Sequence, residues 1–215
     1  QGTELDATFA DASKALCPAQ GTNFDAVSLG NGGRITLSFA GTLFNGAGYD
    51  FAIFENSFSD TFLELAFVEV SSDGANFFRF PNFSFTPGIV SAFGAIDPTN
   101  IDGYAGKYRM GFGTPFDLNV LKNAPGLNVN AVSHIRLVDV LGNGSEFDNY
   151  PAGAPFNGPH AIFDPFRTTG SAGFDLDGVG ARYFTAAPPA AVPLPGGLGL
   201  FALAGLGLLR RARRA

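Results

Sequence analysis

Six short apolar segments, at 34–39, 49–54, 62–70, 76–80, 134–140 and 173–184, are each bounded by Gly, Asn, Asp or Pro. Segments this short and this often interrupted do not build long helices; they read as strands joined by turns. The 29 glycines and 14 prolines supply the turns, and 24 phenylalanines supply rings that favour a pleated, half-buried surface. Between 62–70 and 76–80, the sequence Ser71-Ser72-Asp73-Gly74-Ala75 sets Asp-Gly between two apolar runs, a strong hairpin signal. Helical turns are expected at 11–16 and at 115–121, the latter opened by Pro115 and closed by Gly126. The expected fold is all-β, an antiparallel β-sandwich of jelly-roll type.

The chain divides by composition. Residues 1–23 form a small, polar lead-in, and 24–184 carry the strand pattern of one sandwich domain. Within that domain, 141–169 is long and rich in Gly, Pro and Asn, and is expected to be a functional loop or one ordered by a ligand. An Ala/Pro linker, 185–195, leads to an apolar run of 14 residues, 196–209, followed by Arg210, Arg211, Arg213 and Arg214. As a helix the run would reach about 21 Å, short of a hydrocarbon core of roughly 30 Å unless flanking residues enter the interface. It reads as a C-terminal membrane anchor with its arginines on the cytoplasmic side and everything before them outside. The chain opens at Gln1 without Met, which sets the expectation of a removed leader.

Charge narrows the function. The formal charge is −6, and four of the 13 basic residues sit in the last six positions, so the body is more acidic still. Such a surface repels nucleic acid and favours cations. A single cysteine, Cys17, rules out an internal disulfide framework. The two histidines, His134 and His160, show no metal-binding spacing, and Gly-x-Ser-x-Gly is missing from the sequence. Gly30-Asn31-Gly32-Gly33 precedes a strand and not a helix, so a turn is its expected role. No catalytic residues are assigned, and the chain is read as a non-enzyme.

Carboxylates are the richest chemical resource. In Phe174-Asp175-Leu176-Asp177 the strand period places both aspartates on one face, where like charges repel unless solvated or bridged by a cation. Glu55-Asn56 closes one strand, and Leu63, Leu65, Phe67 form an apolar face that ends in Glu69. Oxygen ligands from several strand ends suit Ca²⁺, so Asp175, Asp177, Glu55, Asn56 and Glu69 are the expected ligands, with Asp175 foremost. The alternative is that they are solvated turn residues. For a sugar or planar ligand the candidates are Tyr104 and Tyr108, which flank Gly106-Lys107, and Tyr150 in the long loop.

Val192-Pro193-Leu194-Pro195, the apolar run and the arginine cluster, in that order, resemble the PEP-CTERM sorting signals of Gram-negative bacteria, in the variant with Leu in place of the commoner Glu. That resemblance implies recognition by an exosortase-type enzyme and delivery to the cell surface or extracellular matrix, with a transient or permanent membrane anchor. Segments such as Tyr49-Asp50-Phe51-Ala52-Ile53-Phe54-Glu55-Asn56 and Gly173-Phe174-Asp175-Leu176-Asp177-Gly178-Val179 resemble bacterial cell-surface proteins of unassigned role. More loosely, Val68-Glu69-Val70-Ser71-Ser72-Asp73-Gly74 and the closing strand resemble carbohydrate-binding jelly rolls, which implies a structural calcium beside that strand. The expected function is an exported, surface-sorted binding or matrix module, calcium-stabilised and polysaccharide-associated. A self-assembling structural protein and a polysaccharide hydrolase with paired carboxylates are the alternatives.

Overall fold

A computed structural model describes residues 2–22 and 24–188. The proposed sorting residues, Val192 to Pro195 and the four arginines, lie outside them. In chain order the strands are β1 (Val27–Ser28), β2 (Arg34–Leu43), β3 (Phe51–Glu55), β4 (Ala66–Ser71), β5 (Phe78–Arg79), β6 (Phe83–Ser84) and β7 (Ile101–Asp102). They continue with β8 (Tyr104–Ala105), β9 (Thr114–Phe116), β10 (Val132–Asp139), β11 (Asn143–Phe147), β12 (Ala161–Phe163), β13 (Asp175–Ala181) and β14 (Phe184–Ala186). The fold is all-β and its strand pairings are antiparallel.

One sheet has the order β1-β13-β3-β9, and the other β14-β2-β10-β4-β5 with β8 also against β4. Along the chain, β2, β4 and β10 fall in one of these sheets and β3, β9 and β13 in the other, so these six strands alternate between the two. Both sheets feed one apolar core. Phe51, Ile53, Phe116 and Leu176 come from the first, and Leu37, Val68, Val70, Ile135 and Leu137 from the second. β3 shows the expected alternation, with Phe51, Ile53 and Glu55 buried. Its period therefore places a carboxylate in the same phase as two core side chains.

β4 does not alternate; all six residues are buried. Val68 and Val70 enter the first core, whereas Phe67 joins a second one with Leu63, Leu65, Tyr104, Val140 and Ile162. β13 is likewise buried from Asp175 to Gly178, because the N-terminal segment lies over it. A Cβ on Gly178 would meet the Ala19 amide nitrogen at 3.0 Å. The lead-in is thus a layer of the domain, and its Gly2 and Thr3 amides bond Leu29 and Asn31 at 2.9 and 3.0 Å.

Local chemistry explains the turns. Ser71, Asp73 and Asn76 bind one another around the hairpin, where Gly74 has φ +74°. Both expected helical turns are short 3₁₀ segments: Ala12–Leu16, capped by Asp11, and Leu118–Leu121, capped by Asp117. Pro115 belongs to β9, so the second turn starts later than its sequence suggests. In Gly30-Asn31-Gly32-Gly33 the Gly33 amide bonds the Gly30 carbonyl at 2.8 Å, a turn as expected. The segment 141–169 holds the β11–β12 pair, and its Asp148 accepts from the His160 amide at 2.8 Å and the Ser84 amide at 3.2 Å. Asp148 thus ties the segment both to itself and to β6. The strand β14 carries the domain two residues into the expected linker, pairing Thr185 with Thr42.

Candidate functional site

Two buried carboxylates, Glu64 and Asp175, line a cavity of about 250 Å³, and a third, Glu55, is buried close enough for the three charges to act on one another. Glu55 ends β3, Asp175 opens β13, and Glu64 precedes β4; the β3–β13 register sets Leu176 opposite Glu55. Asn56, Ser57, Glu64, Thr168 and Asp175 line the cavity, and Phe58, Phe62 and Phe93 stack along it with centroids 4.8 and 5.9 Å apart. Among the described residues that line it, none is Lys or Arg.

Hydrogen bonds satisfy only part of this acid. Asp175 accepts from the Ser28 hydroxyl and from the Asn56 side chain. The Ser57 amide donates to Glu55 Oε2 at 2.8 Å. Glu64 is 5% exposed, yet its Oε1 has no hydrogen-bond partner. Burial first, and then the charge of Asp175, push Glu55 and Glu64 well above the usual carboxylate range. Asp175 itself is raised to about 7, mainly by burial, against the hydrogen bonds from Ser28 and Asn56. An unpaired carboxylate in such surroundings is costly, and a cation would remove the cost.

Other buried aspartates have a different job. Asp50 accepts from the Gly46 and Leu118 amides, each at 2.7 Å, and Asp139 from Gly32 and Phe174, also at 2.7 Å. Asp164 Oδ2 takes the Leu65 amide at 2.9 Å. These groups tie distant main-chain segments together, as backbone donors buried away from water require.

The five expected calcium ligands separate into groups. Asp175, Glu55 and Asn56 come together at the cavity. Asp177 accepts the Gln20 and Gly21 amides at 2.9 Å each and clamps the N-terminal segment. Glu69 is corrected: it lies in the other sheet, where Arg79 and Arg136 take its two oxygens at 2.9 and 2.5 Å. Those guanidiniums also sit over Phe67 and Phe77, at 3.8 and 3.9 Å from the ring centroids. Glu64 was missed. In Phe62-Leu63-Glu64-Leu65 the strand period puts it opposite an apolar face, on a side expected to meet water. A lone charge inside so apolar a run was the available signal.

The tyrosines also divide. Tyr104 is corrected from ligand contact to core: it is fully buried, 5.7 Å from Phe67 between ring centroids. Tyr108 and Tyr150 are exposed and line a second cavity with Tyr49. Cys17 is exposed and free. His134 bonds the Ser133 hydroxyl at 2.8 Å through Nδ1 and sits edge-on to Phe77.

Among the described residues, no three His, Cys, Asp or Glu side chains by themselves converge as a metal centre. Calcium at the first cavity would therefore draw amide, hydroxyl and main-chain oxygens as well as carboxylates, a mixed set that this hard cation accepts. The donors lining the cavity, Asn56, Ser57 and Thr168 beside Glu64 and Asp175, are of that oxygen-only kind. Comparison with known proteins finds no matching family model, curated protein or solved structure. The site's own chemistry must carry the functional reading.

Proposed function

We propose that this chain is a non-catalytic binding or matrix module, exported and sorted to the outer surface, whose jelly-roll sandwich is completed by calcium. The observation that carries the calcium reading is the unpartnered Oε1 of Glu64, buried near Asp175 and Glu55 with no Lys or Arg among the described residues that line the cavity. Alternation of β2, β3, β4, β9, β10 and β13 between the two larger sheets supports the jelly roll. The Val-Pro-Leu-Pro box, apolar run and arginines support export, exosortase recognition and residence in a polysaccharide-rich surface layer.

The calcium reading is tested by thermal unfolding in EDTA and in millimolar Ca²⁺. A bound ion stabilises the native state by mass action, so the melting temperature should rise with free Ca²⁺. Asp175→Asn and Glu64→Gln should each shrink that rise, whereas Glu69→Gln should leave it intact. Identical melting curves in both buffers would remove calcium from the reading. The raised carboxylates also suit a hydrolase acid; polysaccharide cleavage lost in Glu64→Gln would move the chain into that class.

A further inference from the structure

Tyr49, Tyr108 and Tyr150 come from three distant segments and line one cavity of about 380 Å³. Their exposures are 57%, 43% and 37%. Tyr108 reaches this surface because the chain reverses at Gly106, which has φ +87°. A Cβ there would sit 2.0 Å from the Glu64 carbonyl oxygen, so only glycine fits the turn that sends Tyr104 inward and Tyr108 outward. Tyr150 is braced from behind by Phe83 and Phe156, with centroids at 5.6 and 4.2 Å. The rings are therefore held open to solvent in a concave site and not scattered over a convex surface.

Polar groups lie among the rings. Lys107 Nζ is 2.9 Å from Asp102 Oδ1, and Asp117 accepts the Asn119 amide at 2.8 Å through one oxygen. The cavity thus offers phenol hydroxyls, carboxylate acceptors and an ammonium already neutralised by its neighbour. Its fixed charge is acidic, as is the chain as a whole at −6. A polyanion would meet repulsion here with no free cation to offset it. An uncharged sugar chain meets none: its C–H faces can lie on the tyrosine rings, and its hydroxyls can both donate and accept.

We infer that the Tyr49–Tyr108–Tyr150 cavity binds a neutral polysaccharide. This rests on the polysaccharide-associated reading above and adds the place and the ligand class. The test is affinity electrophoresis of the full chain in gels containing hydroxyethyl cellulose or galactomannan, against carboxymethyl cellulose as the anionic counterpart. The neutral gels should retard the chain and the anionic gel should not. Tyr108→Ala and Tyr150→Ala should each weaken retardation roughly tenfold in dissociation constant, the loss expected for removing one anchoring aromatic side chain. Phe147→Ala, an exposed ring that lines neither cavity, should leave it unchanged. Unaltered retardation of both tyrosine variants would overturn the placement while leaving polysaccharide binding intact. Stronger retardation by carboxymethyl cellulose would overturn the ligand class. No retardation in any gel would overturn the polysaccharide reading itself, and this assignment with it.

Discussion

At the scale of single residues, Glu64 and Glu69 show how little a carboxylate's identity says about its work. Both sit in the same run of sequence, five positions apart, and both are buried. Glu69 has two guanidiniums and no need of a further cation. Glu64 has an empty acceptor and other acids for neighbours. The imbalance has a pH signature. Asp175 and Asp139 are raised to about 7 from an ordinary 3.8. Their folded pKa values lie above the unfolded ones, so the native state keeps protons that the unfolded chain has released. Their contribution to stability is complete below about pH 4 and is lost as the pH rises through 7. In EDTA the unfolding midpoint should therefore be lower at pH 8 than at pH 5. Glu64→Gln should raise the pH 8 value by removing an acid whose charged form has no cation beside it. Calcium should offset the part that comes from Asp175 and leave the part from Asp139, which is held by backbone amides away from the cavity lining. Equal midpoints at the two pH values would mean that these acids are not buried in solution.

At the scale of elements, β13 is the piece whose surroundings decide its character. As an isolated strand it would show water two aspartates on one face. In the fold, the N-terminal segment covers that face and Asp177 holds it through the amides of Gln20 and Gly21. Asp177→Ala removes both acceptors at once and leaves two donors unpaired, a loss of about 2 kcal/mol. The expected outcome is faster hydrogen exchange at Gln20 and Gly21 and earlier proteolytic cleavage before residue 22, with the strands of the other sheet unaffected. Exchange unchanged at those two amides would show that packing, and not the carboxylate, holds the segment. The same element explains why the candidate site was only half legible. Glu55 closes a strand and Asp175 opens one, and strand ends can be read from turn chemistry. Glu64 faces a cavity because Thr168 and the stacked phenylalanines close over it, and no local pattern announces that closure.

At the scale of the whole molecule, charge and chain order make separate demands. The body is acidic and the last positions are basic. On the sorting proposal, exchanging Arg210, Arg211, Arg213 and Arg214 for neutral residues should strand the protein or leave its tail unprocessed, because that proposal makes them the cytoplasmic stop charge. Surface labelling and tail mass spectrometry of that variant check it. Unchanged display with an unchanged tail would defeat the sorting proposal. The two-sheet body and the tail can be tested apart, since every substitution in the calcium and glycan experiments lies within the described body.

Alternation and turn chemistry, both local, were enough to expect β3 near 49–54, β10 near 134–140, and the hairpin at Asp73-Gly74. They were also enough to expect an all-β antiparallel body and an acidic one. Tertiary structure decided which faces are dry. A second core built from Leu63, Phe67, Tyr104, Val140 and Ile162 buries the outer side of β4, and that took Tyr104 out of the candidate binding surface. It also gathered Tyr49, Tyr108 and Tyr150 from three segments into one cavity, and Glu64 and Asp175 into another with Glu55 buried nearby. The physical reason is that a strand's period fixes only which residues share a face. Whether that face meets water, a core or an acid is set by segments far away in the chain.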